Sequence, residues 1–158
     1  MADFTLESMS AMLLSIGAAM PQVNAGALEQ AALVVENKAK KVIGTYAYGW
    51  PELADATQAA RGQAGYPENE PLLVTGEMRD SIGHVVGNNE ASVGSNEDKA
   101  VWQELGTSRG IPPRSFLAES ARRSRDEVEQ IIGQAVYESL LVGGPAFPHI
   151  TPSAKTIP

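Results

Sequence analysis

Two histidines, His84 and His149, are the side chains best suited to proton transfer or metal binding at neutral pH. A zinc site needs three or four converging ligands, and no group of histidines and acids in the sequence has that spacing. The sequence also lacks HExxH, GxSxG, CxxC and the phosphate loop GxxxxGK[ST]. We therefore expect no catalytic residue, no metal and no cofactor, and we assign His84 a structural or surface role.

A tryptophan, a glutamate and two arginines lie close together in the sequence and could bind a protein partner. Trp102 offers a large rigid surface, and Arg109 and Arg114 can bind carboxylates through paired hydrogen bonds. The stretch TSRGIPPR contains both arginines, and its two prolines predict a stiff, extended arm. We expect Arg109 or Arg114 to pair with an acid on an adjacent chain, with Glu104 or a residue of segment 68–80 as the first choice.

Residues 143–158 contain four prolines and no regular period, which predicts an extended tail. Phe147 and Ile150 are the apolar anchors that we assign to the interface, together with the four residues above. We expect this tail to be mobile in the free subunit and to become ordered against a neighbouring subunit.

Composition limits the classes of function. The chain has 158 residues, enough for one domain with a modest core, and a formal net charge of −7. This acidity disfavours sequence-specific binding of nucleic acid, although an acidic wall can let DNA slide past without sticking. There is no cysteine, no signal-peptide pattern and no run approaching 18 apolar residues, so we expect no disulfide and no membrane contact.

Apolar residues at spacings of three and four predict a helix over residues 5–20 and a second helix over about 22–43, separated by Pro21. Segment 45–71 contains several prolines and glycines and reads as a long surface loop. Within this loop a short helix is predicted from Pro51 to about Arg61.

Two short strands are predicted after this loop, at 82–86 and 91–95, joined by a turn of glycine, asparagine and glutamate. A short helix to Leu105 follows, and a long helix covers about 115–142. The predicted fold is α+β, with a small antiparallel sheet packed against the long N-terminal and C-terminal helices. The predicted organisation is an N-terminal helix over 1–21, a single domain over 22–142, and the tail.

Three short motifs occur in a fixed order along the chain: LLVTGEMRDSI at 72–82, VWQELGT at 101–107 and IPPRSFL at 111–117. A pattern LxxTGxLRxSI, then an aromatic residue with ExGT, then PRPFL opening a long helix, is that of a phage family. The sequence thereby resembles the tail-component family of lambda-like long-tailed bacteriophages, whose members are neck or tail-completion proteins. It departs from the pattern at Met78, where leucine is common, and at Ser115, where proline is usual.

The sequence is also similar to the related virion-morphogenesis family of Mu-like phages, in which WxPL precedes the TGxLxxSI element. Trp50-Pro51-Glu52-Leu53 resembles that feature, with its proline one position earlier. The resemblance covers roughly residues 50–120, and it leaves segment 1–20 and the proline-rich tail outside.

The resemblance implies a structural virion protein and no enzyme. The implied subunit forms a homo-oligomeric ring of six or twelve copies at the head–tail junction, assembled in the host cytoplasm. Its implied partners are a portal-side adaptor or head-closure protein on one side and the tail tube or a tail terminator on the other. A tail terminator is the alternative within this class. A small soluble enzyme with a pocket in loop 45–71 is the alternative from another class.

Overall fold

The computed structural model of the chain describes residues 6–142, and its architecture is α+β, as the sequence predicted. Six helices accompany one two-stranded sheet in this part of the chain. Their bounds are α1 Leu6–Val42, α2 Asp55–Gln63, α3 Glu77–Asp80, β1 Ile82–Val86, β2 Ala91–Ser95, α4 Asp98–Leu105, α5 Leu117–Arg123 and α6 Arg125–Val142.

Helix α1 is continuous through Pro21, where the sequence predicted a boundary between two helices, and that expectation was wrong. Pro21 has no N–H to donate to the carbonyl of Gly17, four residues earlier. Both residues are exposed, so water can bind the carbonyl that the proline leaves unpaired. The helix ends at Val42, where Gly44 with a φ of 86° turns the chain away.

The hairpin of β1 and β2 has the bounds that the sequence predicted. The strands pair antiparallel, with Ile82 opposite Ser95 and Val86 opposite Ala91. In the turn, the N–H of Gly87 donates to the carbonyl of Glu90 at 2.9 Å. Asparagine is one of the few non-glycine residues that accept a positive φ, and Asn89 has a φ of 60° here.

The core lies where α1 meets the hairpin and the segments around it. Its buried members come from the end of α1, α3, β1, α4 and the residue before α5, and they are Ala39, Val42, Ile43, Met78, Ile82, Ala100 and Phe116. The two members from α1, Ala39 and Val42, have short side chains, which lets the other elements approach that helix closely. The core is therefore small, in line with the modest core expected from the length of the chain.

The predicted helix over 115–142 is divided into α5 and α6 at Ser124, which corrects the sequence reading. The N–H of Ser124 donates to the carbonyls of Ser120 and Ala121, and helical bonding resumes when Val128 donates to the carbonyl of Ser124. Helix α6 then runs antiparallel to α1, since Lys38 bonds Glu127 and Ser139 lies against Met20.

The predicted loop 45–71 is more ordered than the sequence indicated. Its helix, α2, begins at Asp55 and ends at Gln63, whereas we expected it to start at Pro51. Arg61 at the end of α2 donates to the carbonyls of Glu70 and Leu73 at 2.8 and 3.1 Å. Arg61 therefore connects the end of α2 to residues 70–73, where the loop ends.

Candidate functional site

Helix α4 presents three apolar side chains to solvent on one side, and we call Val101, Trp102 and Leu105 the α4 face. The indole of Trp102 is 50% exposed and the side chain of Leu105 is 73% exposed. The opposite side of the helix packs into the core through Ala100, which is buried. Since exposed apolar clusters are typical of binding surfaces, the α4 face is the main candidate for a docking site.

Glu104, on the same helix, is bound within its own chain. Its carboxylate oxygens accept hydrogen bonds from the backbone N–H groups of Phe116, Leu117 and Ala118 at 2.7, 2.9 and 3.0 Å. The hydroxyl of Ser115 donates a fourth bond at 2.6 Å. A carboxylate at a helix N-terminus satisfies otherwise unpaired donors and complements the helix dipole, so Glu104 is the N-terminal cap of α5.

The segment between Glu104 and α5 folds back on itself, which corrects the expectation of an extended arm. Thr107 donates its N–H to the carbonyl of Ile111 at 3.0 Å, and Arg114 donates its N–H to the carbonyl of Gln103 at 2.6 Å. Gly106 has a φ of 75°, and a Cβ there would lie 2.9 Å from the carbonyl oxygen of Ile111. Only glycine fits this close approach, and the tip at residues 108–110 is exposed, as are the two prolines at 112 and 113.

Arg109 and Arg114 occupy opposite environments on this loop. Arg109 lies in the exposed tip, where it can reach a partner, and its interface role stays a prediction. Arg114 is 6% exposed, and its terminal Nη2 donates to the carbonyl of Pro51 at 3.4 Å. Within residues 6–142 its Nε has no hydrogen-bond partner. Arg114 thus holds the loop against the Trp50–Leu53 segment, and it is not placed to contact another chain.

The indole of Trp102 also forms one wall of a cleft of about 240 Å³. Arg61 and Lys99 supply positive charge to this cleft, while Thr75 and Glu77 supply polar atoms. Burial is the main cause that lowers the pKa of Arg61, and the nearby Arg114 lowers it further. Among the residues that line this cleft, Arg61 is the one that belongs to loop 45–71. The described lining contains no nucleophile paired with a general base.

His84 fastens the hairpin to α1. Its Nε2 lies 3.0 Å from a carboxylate oxygen of Glu29, and its Nδ1 bonds Glu36, which is also paired with Lys40. The bonds to Glu36 and Glu29 raise the pKa of His84, and the bonds from Lys40 and His84 lower the pKa of Glu36. This cluster is an electrostatic contact between two elements. Across residues 6–142 no three histidine or acidic side chains are arranged so that they could hold a metal ion.

The six predicted interface residues are thus separated by the structure. Trp102 and Arg109 are accessible, Glu104 is committed to its own chain and Arg114 is buried. Phe147 and Ile150, with the rest of the predicted tail, lie outside the described residues. Val101 and Leu105 were not predicted as interface residues. Leu105 follows Trp102 by three positions and Val101 by four, and this helical spacing of apolar residues was a usable signal.

Helix α1 carries a second exposed apolar surface. It is the one helix within residues 6–142 that is long and apolar enough to cross a membrane by length and composition alone, and 6% of its most apolar window is buried. The sequence contains no unbroken apolar run of that length, but residues 8–28 of α1 contain no charged residue. The expectation of no membrane contact stays a prediction.

The fold and the site define a small α+β chain whose polar groups are largely satisfied internally while two apolar surfaces are exposed. No known protein family, curated protein or solved structure matches the chain.

Proposed function

We propose that the protein is a structural subunit of a tailed phage, of the neck or tail-completion class, that forms a ring joining the head to the tail. The sequence resemblance motivates this proposal. The observation that carries it is the combination of a rigid core built by the three motifs with the exposed α4 face. Such a combination is suited to binding other proteins and offers no chemistry.

The three motif segments support an architectural role because they pack on one another. Met78 and Ile82 from the first motif, and Phe116 from the third, belong to the same buried cluster. The second motif contributes Glu104, which caps the helix that the third motif begins. A pattern of residues that builds one packed unit is what a structural subunit requires. The first two motifs also line the cleft beside Trp102, which contains no nucleophile paired with a general base among the described residues.

The α4 face supports an assembly role because a monomer gains nothing from exposing it. Each of its three side chains would bury apolar area on docking, at about 25 cal/mol per Å². Arg109 lies at the tip of the loop that follows α4, so a positive charge is available close to this face. In an acidic chain with a net charge of −7, that charge would favour contact with an acidic neighbour.

The acidic character also fits a position around the phage axis. DNA passes through a head–tail junction during ejection, and a negative surface repels its phosphates instead of retaining them. The proposed partners are therefore proteins: further copies of the chain, a portal-side adaptor or head-closure protein, and the tail tube or its terminator.

Cryo-electron microscopy of particles from a phage whose genome encodes the chain tests the proposal. We expect an axial ring of six or twelve copies between the portal and the tail. One or two copies at a non-axial position, or particles that lack the chain, would contradict it.

A variant test addresses the α4 face in the same particles. Trp102→Ala and Leu105→Ser should reduce the yield of tailed particles while the thermal unfolding of the isolated chain is unchanged. Val85→Ser is the matched control, because Val85 is as exposed as Leu105 and lies on the hairpin. Equal loss of particles with the control would show that surface apolarity in general, and not the α4 face, is needed.

A further inference from the structure

No residue of α6 lies beside the first eleven described residues of α1, which are residues 6–16. Ser139 of α6 lies against Met20, and α6 ends three residues later at Val142. Because the two helices are antiparallel, the end of α6 is level with about residue 17 of α1, and residues 6–16 extend about 16 Å beyond it. We call this segment the projection.

The projection is apolar and almost uncharged. Leu6, Met9 and Leu13 follow one another at spacings of three and four residues, and all three are exposed, Leu13 to 60%. Anchors at i, i+3 and i+7 are the pattern by which an amphipathic helix binds an apolar groove of another protein. Glu7 is the one charged residue in the projection.

A groove of matching chemistry lies elsewhere on the same chain. It has a volume of about 360 Å³ and is lined entirely by aliphatic side chains, among them Ala31, Ala32 and Val35 of α1, Val93 of β2, Leu117 of α5 and Val128 of α6. It exists because both β2 and α6 pack against α1 without closing on each other. We call it the aliphatic groove.

The projection cannot fill the aliphatic groove of its own chain. Both are carried by α1, and a continuous helix keeps Leu13 about 27 Å from Ala31 along its axis. The projection of the same chain is therefore excluded as the occupant of the groove.

We propose that the projection of one copy binds in the aliphatic groove of a second copy. The two surfaces are chemically alike, and the groove lining contains no charged or polar residue. The projection carries one charge, on Glu7, and the groove lining carries none, so two copies of net charge −7 meet there with little direct repulsion.

This contact has a direction, because the donor and acceptor surfaces differ. Each copy binds one neighbour through its projection and another through its groove, which gives a heterologous interface that forms a ring when the rotation closes. The inference deepens the proposed function by naming the contact between subunits, and it rests on that function only for the closure of the ring.

A membrane is the alternative occupant for the projection, and the sequence disfavours it. Helices that lie on membranes are rich in lysine and arginine on their polar face, and the first basic residue of this chain is Lys38. A lipid surface would also leave the aliphatic groove unoccupied.

Disulfide crosslinking tests the contact directly, since the chain contains no cysteine. The full chain is prepared with Leu13→Cys in one preparation and with Ala121→Cys, at the groove, in another that carries a mass tag. On mixing and mild oxidation we expect a mixed dimer. Ala60→Cys, on exposed α2, replaces Ala121→Cys in the control and should give no mixed product.

Two results would overturn the proposal. Faster crosslinking of Leu13→Cys to itself would mean that projections pair with each other, and absence of the mixed dimer under conditions that oxidise free thiols would exclude the contact. In either case an axial ring in the particle would leave the proposed function standing. Mixed dimers without an axial ring would uphold the contact and contradict the proposed function.

A second variant pair measures assembly without crosslinking. Leu13→Ser should lower the fraction of oligomer in analytical ultracentrifugation at least tenfold and leave the circular dichroism of the chain unchanged. Leu33→Ser, on the same helix but outside the groove, should assemble like the unmodified chain. Binding of the chain to phosphatidylcholine–phosphatidylglycerol vesicles that Leu13→Ser abolishes would favour a membrane and overturn the proposal.

Discussion

The segment that carries the three motifs, residues 72–117, differs from the N-terminal half of α1 in how its side chains find partners. In the motif segment Phe116 is fully buried and Glu104 has four donors from its own chain. In α1, Leu6 and Leu13 are exposed although they lie in a regular helix. The first region forms its core contacts and its helix cap within one chain and leaves only its α4 face exposed, whereas the proposed assembly would supply the packing of the second region.

The largest expected effect is a difference in the free energy of unfolding between two variants, one at a buried side chain of the first region and one at an exposed side chain of the second. Phe116→Ala removes a ring that is 0% exposed and should lower the free energy of unfolding by about 3–5 kcal/mol. Leu13→Ala should change it by less than about 0.5 kcal/mol in dilute solution. Urea denaturation followed by circular dichroism measures both. A comparable loss for Leu13→Ala would mean that the projection belongs to the folded core.

The next effect concerns the cap of α5. Glu104→Ala leaves the first N–H groups of α5 without their acceptor and should destabilise the chain by about 1–2 kcal/mol. Glu104→Gln keeps one carbonyl oxygen and should lose less. Glu97→Ala is the control, because Glu97 precedes α4 without a side-chain hydrogen bond to it. Hydrogen exchange should speed up at the amides of residues 116–118 in the Glu104 variants alone; unchanged exchange there would contradict the capping role.

A smaller effect concerns the pH dependence of the contact between the hairpin and α1. The pKa of His84 is raised from 6.5, so its stabilisation is full below pH 6.5 and is lost as the pH rises through the raised value. The pKa of Glu36 is lowered from 4.5, so its stabilisation is full above pH 4.5 and is lost as the pH falls through the lowered value. The cluster should therefore contribute most to the stability of the fold between pH 4.5 and pH 6.5.

Thermal unfolding at a series of pH values measures this dependence. We expect the melting temperature to fall by under about 4 °C above pH 6.5, and His84→Gln to remove that fall. If His84→Gln keeps the same pH profile, other groups determine it.

The smallest effect lies at the junction of α5 and α6. The hydroxyl of Ser124 is buried and has no partner among the described residues, so Ser124→Ala should be neutral or slightly stabilising, by under about 1 kcal/mol. Ser120→Ala is the matched change, because the equally buried Ser120 hydroxyl bonds Tyr48 at 2.7 Å and its loss should destabilise. Equal destabilisation by both variants would indicate that Ser124 has a partner, such as an ordered water.

The sequence was most informative where structure depends on neighbouring residues. The bounds of β1 and β2 were predicted correctly because alternation and turn residues are local signals. The wrong helix boundary at Pro21 also came from a local rule. That rule does not take into account that the carbonyl left unpaired by the proline is exposed to water. The division at Ser124 was missed because serine is not a strong helix breaker, and the buried site that accommodates the bend is formed by other elements.

The candidate site was predictable only in part because its key contacts join distant residues. Glu104 caps a helix that begins thirteen positions later, at Leu117, and no capping pattern covers that distance. Arg114 was assigned to a surface on the basis of its charge, yet the chain folds Pro51 over it. Trp102 was singled out as an interface residue, and that role stays a prediction; its half-exposed indole could not be deduced from its residue type.

The closed base of the loop at 106–114 has a consequence for the evolution of the chain. Thr107 and Ile111 are joined by a hydrogen bond, and the ends of the loop are attached to α4 and α5. Exposed Ser108 and Arg109 can therefore change without disturbing the fold, whereas Gly110, with a φ of 101°, favours glycine. Variation can therefore accumulate at this tip while the motifs around it stay constant. An epitope or a fluorescent label inserted between Ser108 and Gly110 should be tolerated for the same reason.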